Sequence, residues 1–492
     1  MKFNSYVFLF AFLPVVLSGY FLLGRTRYSR LANIWLTAAS LFFYGYWDWH
    51  YLPLLLGSIL VNYLISGAIL RLKRKGQLSW ERVVFWVGIF LNIGLLAYYK
   101  YLDFLLDAVN DIAGTSLPLL HLILPLGISF FTITQILALI DCHEDVVKSH
   151  NFWDYALFVS FFPHLMAGPI LYHKPMMRQF QDEHLRRLNW ENLSMGCALF
   201  ILGLVKKVLI ADNFTAAVAW GYGQAADISF FAAWFTVICY ALELYFDFSG
   251  YSDMAVGLAR MMNIKIPINF NKPFYATSVA NFWQRWHISL TNAITACVYV
   301  PLVRVLTGGH GIMPGFPQSL CAATIAFFVV GIWHGAGWTF VLFALLQSGG
   351  IAVGMLWKKY GKPLPELLAH LLMLIFIALS FAVFRAPDFF HAKAMCGGLI
   401  GRHGFDIPQT LLSLLGPMGG IVPLPTLVLP ADAPLLTLVI AILLAALGRD
   451  ANDIVRRIAV SPKPYWAAVL ALGFLCCVLQ LSRGSVFLYF QF

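Results

Sequence analysis

The sequence is poor in charged residues. Only 11% of its 492 residues are Asp, Glu, Lys or Arg, whereas a soluble protein has roughly 25%. That fraction is too small to cover a water-exposed surface, and it argues against a soluble enzyme, a disordered chain and a coiled coil. The hydrophobic fraction is 60% and the mean hydropathy is +0.76. The scarcity of charge therefore indicates a protein that crosses a membrane several times.

Sequence signals for several other functions are also missing. The eight cysteines lie mostly in apolar stretches without zinc-site spacing, so we interpret them as buried small side chains. The basic residues form short clusters between apolar runs, which argues against nucleic-acid binding despite the net charge of +10. No nucleophile elbow, phosphate-binding loop or dinucleotide fingerprint occurs in a suitable context. We therefore expect no metal and no bound cofactor, and any nucleophile to come from a substrate.

Apolar runs long enough to cross a bilayer follow one another along the chain. A span needs about 20 largely apolar residues. Such runs lie at 5–24, 31–47, 51–70, 82–105, 117–140, 191–211, 226–248, 281–306, 318–333, 336–357, 365–384, 433–448 and 464–482. They predict a single all-α, polytopic membrane domain over residues 1–492, with about eleven to fourteen membrane segments. The first run lacks the features of a cleaved signal peptide, so we interpret it as a retained span.

The charged loops predict the orientation of these segments. Basic clusters at 25–30 and 71–81 belong on the cytoplasmic side, because cytoplasmic loops are enriched in Lys and Arg. This assignment places the N-terminus outside. It also places the loop 106–116 outside, and that loop carries two Asp residues and no Lys or Arg.

One short segment disturbs this alternation. Loops 141–150 and 173–190 both belong inside, yet only the stretch 152–172 separates them, and Pro163 and Gly168 interrupt it. We therefore predict that this stretch is a re-entrant segment. Irregular backbone at membrane depth is tolerated only where protein buries it or a water-filled cavity receives it. We accordingly expect a polar cavity that opens to the cytoplasm.

Three carboxylates lie within a predicted span, in the sequence ELYFDFSGYSD. They are Glu243, Asp247 and Asp253, and Glu243 and Asp247 share a helix face because they are four residues apart. Ionisable residues at membrane depth are costly, so each is a functional hypothesis. Two interpretations remain open. The carboxylates handle protons or cations, or they anchor the fold through a partner such as Arg260 or Arg285.

Two histidines lie at the ends of apolar runs. His287 lies in NFWQRWHISL beside Arg285 and Trp286, where it is either part of an interfacial aromatic belt or at the mouth of a cavity. His334 lies in GIWHGAGW and is followed by small residues that let a substrate approach closely. A neutral imidazole is an effective general base near pH 7. A satisfied histidine in the core is the alternative for His334.

The same stretches resemble the membrane-bound O-acyltransferase (MBOAT) family. The resemblance rests on YFDFSGYSDMAVGLARMMNIKIPINFNKPF (245–274), NFWQRWHISL (281–290) and GIWHGAGWTFVLFALL (331–346). Three further motifs resemble its bacterial branch that contains the membrane subunit of alginate O-acetyltransferase: PLGISFFTITQILALIDCHED (125–145), SFFPHLMAGPI (160–170) and GLVKKVLIADNF (203–214). The resemblance is strongest over 120–346, and we interpret 386–492 as accessory C-terminal membrane segments.

The resemblance implies a fold and a site. The fold is a ring of tilted helices around a central tunnel with a funnel from each membrane face. His334 matches the catalytic histidine of the family, and His287 matches its second important histidine. The residues expected to bind substrate or line the tunnel are Trp333, Gly335, Trp338, Arg285, Trp286, Asp247 and Glu243.

The resemblance also implies a reaction. An acetyl group would pass from cytoplasmic acetyl-CoA across the bacterial inner membrane to an exported polysaccharide of the alginate, cellulose or peptidoglycan type, through a periplasmic SGNH-type partner. His334 would act as a general base or as a transient acyl carrier. From charge complementarity, the CoA phosphates would meet Lys206, Lys207 or Arg178.

The chain departs from the family after RWHISL. An aromatic segment with an Arg–Asp pair is replaced by TNAITAC (291–297), and a basic glycine loop by TGGHGIMPGF (307–316). These differences leave open which polymer is acylated. The alternatives are a transferase of D-alanyl or another acyl group to a cell-wall polymer, a transporter or flippase of a glycan precursor, and a scaffold that recruits a periplasmic enzyme.

Overall fold

The chain folds almost entirely into α-helices. A computed structural model describes residues 1–149, 151–309, 313–408, 426, 427, 429, 434–483, 487 and 488. The helices of the first half are α1 (Leu13–Gly24), α2 (Leu31–Gly45), α3 (Leu52–Arg74), α4 (Leu78–Leu96), α5 (Leu102–Ala113), α6 (Ile128–His143), α7 (Phe152–Ser160), α8 (Phe162–Leu165), α9 (His173–Gln181), α10 (Trp190–Val205) and α11 (Thr215–Gly223).

The second half continues the helical pattern. Its helices are α12 (Phe230–Met261), α13 (Val279–Trp283), α14 (Ile288–Ile294), α15 (Val300–Leu306), α16 (Phe316–His334), α17 (Trp338–Tyr360), α18 (Glu366–Arg385), α19 (Phe389–Leu399), α20 (Leu435–Leu447), α21 (Ala451–Val460) and α22 (Pro464–Gln480). Two strands of two residues each, β1 (Ile407–Pro408) and β2 (Thr426–Leu427), pair in parallel. Parts of the accessory segment 386–492 and of the loop 307–316 lie outside the described residues.

Single π turns extend several helices. They lie at Phe8–Phe12, Ala97–Tyr101, Lys206–Ile210 and Thr295–Tyr299. A π turn widens the helix by one residue and rotates the side chains that follow, and such turns are frequent at functional sites. Two of them carry buried or partly buried lysines, Lys100 and the pair Lys206 and Lys207.

The polytopic prediction is confirmed. Among the described residues, eight helices are long and apolar enough to cross a membrane. Helices α20 and α21 form a bent pair, with 70° between them, that adds at most one more span. Four shorter apolar helices lie at Phe8–Gly24, Leu31–Gly45, Ile128–His143 and Pro464–Gln480. With them, the apolar segments reach the predicted range.

The start of α6 differs from the prediction. The apolar run 117–140 becomes helical only at Ile128, and residues 115–125 have no regular structure. Pro118 and Pro125 explain the difference, because proline lacks the amide hydrogen and disfavours a helical residue before it. The residues before α6 are therefore free to line a cavity.

Apolar and polar side chains are distributed between the surface and the interior as expected for a protein in lipid. Large apolar side chains such as Phe10, Leu64 and Phe90 are exposed, while Gln135 and Gln347 are fully buried. In a bilayer the lipid chains cover apolar side chains, and polar groups must find partners inside the protein. The exposed apolar surface is thus the lipid-facing surface.

Helices α10 and α12 cross at close range along two pairs of glycines. A Cβ on Gly203 would lie 2.5 Å from the carbonyl oxygen of Gly250, and a Cβ on Gly257 would lie 2.6 Å from that of Gly196. Small residues allow the backbones of membrane helices to approach and gain van der Waals contact. The crossing holds α12, which runs unbroken for 32 residues, against the middle of the protein.

The stretch 152–172 is interrupted, as predicted. Helix α7 ends at Ser160, the ψ angle of Phe161 is 106°, and α8 supplies only one turn before irregular backbone leads to α9. A Cβ on Gly168 would lie 2.4 Å from the Cα of His164, so this turn requires glycine. The segment is buried almost throughout. That it enters and leaves on one side of the membrane stays a prediction.

Candidate active site

His334 is the last residue of α16. Its side chain is 7% exposed and packs against the rings of Phe343 on α17, at 6.1 Å between ring centroids, and Phe384 on α18, at 5.4 Å. Gly335 follows in extended conformation, with φ −160° and ψ 159°, and ends the helix. The aromatic neighbours exclude bulk water from the imidazole, and the end of the helix leaves one side of it open to a substrate.

His287 precedes α14 and is fully buried. Its backbone is left-handed, with φ 46° and ψ 49°. Such a conformation is uncommon for a residue with a side chain and is concentrated at functional sites. Its ring contacts Phe248 of α12 at 4.7 Å between centroids, edge to face.

A buried asparagine fixes the backbone that carries His287. The amide of Ile288 donates to the carbonyl oxygen of Asn269 at 3.0 Å, and the amide of Ser289 donates to Oδ1 of Asn269 at 3.1 Å. The Ser289 hydroxyl in turn accepts a hydrogen bond from the amide of Ile170 at 2.9 Å. The interrupted segment 152–172 is thus tied to the residue that follows His287. Periodicity offers no signal for Asn269, because it lies in irregular backbone.

The two histidines lie side by side in the interior. Their ring centroids are 6.3 Å apart, and Trp333 packs against both, at 5.3 Å from His334 and 6.0 Å from His287. At this separation both imidazoles can contact the same acyl group of a bound substrate. The structure therefore brings together the two residues that the resemblance marks as important.

A cavity of about 350 Å³ reaches His334. Its walls include Lys100, Ser129, Met166 and Trp47, together with the irregular residues 124–127. The positive-inside distribution places residues 46–51 and 114–127 on the outer side, because they follow helices that start from the basic clusters 25–30 and 71–81. In that orientation this cavity lies toward the outer face, and a cavity that opens to the cytoplasm stays a prediction.

Two residues that the sequence analysis did not select hold the end of α16. Lys100 Nζ donates to the carbonyl oxygens of Trp333, at 2.7 Å, and His334, at 2.9 Å. The Tyr101 hydroxyl donates to the carbonyl oxygen of Ile332 at 2.9 Å. The sequence did contain a signal for Lys100, since it is a charged residue inside a long apolar run.

Two of the three α12 carboxylates pair with lysines, so the prediction of Arg260 or Arg285 as their partner is wrong. Asp247 and Asp253 form ion pairs with Lys207 and Lys206, the latter at 2.6 Å. Glu243 accepts a hydrogen bond from the Thr215 hydroxyl at 2.7 Å. Both lysines follow α10 directly, and the close crossing of α10 and α12 brings them to α12. The anchoring interpretation of these carboxylates agrees with these contacts.

The two arginines have other partners. Arg285 donates to the side chain of Asn281 at 3.2 Å, and Arg260 lies 3.1 Å from the sulfur of Met195. In the part of the chain that the structure describes, neither arginine forms an ion pair with an α12 carboxylate.

The proposed contacts of CoA with Lys206 and Lys207 also require correction. Both ammonium groups are buried in ion pairs, and Lys207 forms a second one with Asp212 at 2.7 Å. Releasing either lysine to bind a phosphate would leave a buried carboxylate uncompensated, which is strongly unfavourable. Arg178 is exposed, so its charge is free to meet a phosphate.

The remaining predicted site residues are Trp333, Gly335, Trp286 and Trp338. Trp333 and Gly335 are adjacent to His334 in the chain. Trp286 is buried and stacks on Phe282 at 5.4 Å, and Trp338 is 44% exposed and packs on Phe104 at 5.3 Å. The ring of Trp338 thus joins the start of α17 to α5.

An all-helical membrane protein with a buried pair of histidines next to an internal cavity has the arrangement of a membrane-embedded enzyme. A family model described as MBOAT, membrane-bound O-acyltransferase family, matches residues 121–364. The chain is 38% identical over 437 residues to the peptidoglycan O-acetyltransferase of Helicobacter pylori, with 83% of this chain and 81% of the relative covered. The chain belongs to the membrane-bound O-acyltransferase family.

The chain is also similar to two further relatives. A probable alginate O-acetylase of Pseudomonas aeruginosa is 34% identical over 394 residues, with 79% of this chain and 72% of the relative covered. The teichoic acid D-alanyltransferase of Streptococcus thermophilus is 29% identical over 260 residues, with 49% and 62% covered. The predicted family is therefore confirmed, and the protein is an O-acyltransferase. Membership of an acyltransferase family favours an enzyme over the transporter and scaffold alternatives.

Proposed function

We propose that the protein O-acetylates an exported or cell-wall polysaccharide from within the bacterial inner membrane. The observation that carries this proposal is the pairing of His287 and His334, with 6.3 Å between ring centroids, at a cavity that reaches toward the outer face. The names of two relatives, a peptidoglycan O-acetyltransferase and a probable alginate O-acetylase, support acetyl as the acyl group and a polysaccharide as the acceptor. The polymer of this chain is thus of the peptidoglycan or alginate type.

The proposed donor is acetyl-CoA, a substrate and not a resident cofactor, reached from the cytoplasm. An acceptor hydroxyl attacks the thioester carbonyl while His334 takes the hydroxyl proton as general base. The new C–O bond forms as the C–S bond breaks, and His334 then returns the proton to the departing thiolate of CoA. His287 orients the carbonyl or relays the proton.

The acceptor side requires a second protein. The cavity of about 350 Å³ has room for a hydroxyl-bearing group of modest size but not for a long polysaccharide chain. We therefore assign the final transfer to a periplasmic partner of the SGNH type that takes the acetyl group at the outer face. D-alanyl transfer is the alternative reaction, and the shorter match to the D-alanyltransferase, 49% of this chain, gives it less support.

The proposal is tested in cells that lack their own polymer acetylation. The chain is expressed with its neighbouring genes, and alkali-released acetate and D-alanine are measured on purified envelope polymers. We expect acetate to rise above background and to return to background in His334→Ala at equal protein abundance. His370→Gln is a matched control, since His370 is a half-buried histidine that interacts with the carbonyl oxygen of Ala276 through Nδ1 at 3.0 Å, away from the histidine pair.

The other results decide between the alternatives. Release of D-alanine in place of acetate would select the D-alanyl reaction. Acetate that is unchanged in His334→Ala would contradict the proposed site.

A further inference from the structure

Lys100 has an unusual set of partners for a lysine in an apolar helix. In the described part of the chain it forms no ion pair with a carboxylate, its ammonium hydrogen-bonds to neutral oxygens, and it lies over the ring of Trp333 at 5.8 Å from the centroid. The two shorter contacts are to backbone carbonyls of Trp333 and His334, and the third is to the Ser129 hydroxyl at 3.5 Å. A lysine that merely avoided lipid would extend toward the aqueous interface. This one points inward, at the end of α16.

The end of α16 needs partners from outside the helix. The last carbonyl groups of any α-helix lack intrahelical donors and carry the negative end of the helix dipole. The residues that follow His334, Gly335-Ala336-Gly337, add no side-chain donors. A cation from a neighbouring helix stabilises such carbonyls both by hydrogen bonding and by its charge.

One π turn supplies side-chain donors to the last three carbonyls of α16. Lys100 and Tyr101 are consecutive residues of the turn Ala97–Tyr101, and they donate to the carbonyls of three consecutive residues, Ile332, Trp333 and His334. The π turn and the end of α16 are thus matched to one another.

We infer that Lys100 is a positioning residue for the acyl transfer. Its ammonium fixes the carbonyls of the last turn of α16 and thereby the imidazole of His334, at the wall of the cavity that both residues line. The inference rests on the proposed function of His334 and adds the device that holds His334 in place. A displacement of about 1 Å at a reacting group costs about 10²-fold in rate.

The experiment uses the full chain in proteoliposomes, with acetyl-CoA as the donor, a soluble saccharide as the hydroxyl acceptor, and CoA release as the readout. Lys100→Met removes the ammonium, and Lys100→Cys treated with 2-bromoethylamine after purification rebuilds a lysine-like ammonium. We expect kcat to fall about 10–100-fold in Lys100→Met, with the KM for acetyl-CoA within about twofold of the wild-type value. The alkylated Lys100→Cys protein recovers most of kcat. Because alkylation follows folding, recovery reports positioning and not assembly.

Lys73→Met is the matched control. Lys73 also binds a backbone carbonyl at a helix end, that of His143 in α6, and pairs with Asp145, but α6 carries no proposed catalytic group. We expect its kcat to stay within about twofold of the wild-type value. Retained kcat in Lys100→Met, or a folded alkylated protein that stays as slow as Lys100→Cys, would overturn the inference.

A second readout does not depend on the acyl donor. Amide hydrogen exchange at residues 335–338 reports how firmly the end of α16 is held. We expect faster exchange there in Lys100→Met and unchanged exchange in Lys73→Met. If wild-type protein and His334→Ala released CoA equally while exchange still rose in Lys100→Met, the proposed function would fail and the positioning would stand. Exchange and kcat both unchanged in Lys100→Met would remove the positioning role alone.

Discussion

The imidazole rings of His287 and His334 lie 6.3 Å apart, although 46 residues separate them in the sequence. Two different devices bring them there. Asn269 holds the start of α14 at His287, and Lys100 holds the end of α16 at His334. One histidine is thus presented by the beginning of a helix and the other by the end of one. Both rings share Trp333 as a neighbour.

The first prediction separates the backbone conformation of His287 from its chemistry. Asn tolerates the left-handed conformation better than Ala, so His287→Asn should be more stable than His287→Ala by about 1 kcal/mol. Both variants lack the imidazole and should lose about 10²-fold or more in CoA release. Thermal unfolding in nanodiscs gives the stability, and initial rates give the activity. An active His287→Asn protein would show that the imidazole has no chemical role.

The second prediction concerns Gly335. A Cβ at this position would lie 2.2 Å from the ring of Phe340, so Gly335→Ala should displace the end of α16 and lower kcat about 10²-fold. Phe340→Ala in the same chain removes the clash and should restore part of the rate. Gly337→Ala is the control, because its Cβ would lie 3.5 Å from the same ring. Equal rates for the two single alanine variants would show that the contact is not limiting.

The third prediction concerns the buried ion pair of Lys207 and Asp247. Lys207→Met leaves a buried carboxylate without its cation and should destabilise the protein by about 3–5 kcal/mol. Lys207→Met combined with Asp247→Asn should recover part of the loss, measured as the unfolding temperature in nanodiscs.

An exposed pair provides the comparison for that measurement. Arg304 and Glu144 are 57% and 38% exposed, so Arg304→Met should change stability by less than about 1 kcal/mol. Equal losses for Lys207→Met and Arg304→Met would contradict a special role for burial.

The fourth prediction concerns the glycine crossing of α10 and α12. Gly203→Val should destabilise the protein by about 3 kcal/mol, because the new side chain would overlap the backbone of Gly250. Gly354→Val is the control, since nothing lies within 4 Å of a Cβ at that position. Recovery of folded protein after detergent extraction measures the difference. Similar recovery of the two variants would mean that α10 and α12 do not need this close approach.

The membrane helices and the family could both be predicted from the sequence, each on its own ground. Low charge and runs of about 20 apolar residues are sufficient for membrane helices, and the motifs around His287 and His334 carry the family resemblance. The start of α6 was misplaced because hydropathy does not register Pro118 and Pro125, which prevent a helix there.

Partners in space could not be predicted in the same way. Lys207 is 40 residues from Asp247, and the carbonyl oxygen that Lys100 binds at His334 is 234 residues away. Neither pair lies within a helical turn, so periodicity could not connect them. Arg260 and Arg285, which were predicted as partners, are nearer to the α12 carboxylates in the sequence, but their guanidinium groups contact other side chains.

The central claim is that His334 carries the acyl transfer, and a single-turnover experiment tests it most directly. Wild-type protein, His334→Ala and His370→Gln are reconstituted at equal amounts, mixed with radiolabelled acetyl-CoA and a hydroxyl acceptor, and followed for labelled ester. We predict that His334→Ala is slower than the wild type by about 10²–10⁴-fold, while His370→Gln keeps the wild-type rate. Ester formation at the wild-type rate in a folded His334→Ala protein would contradict the account.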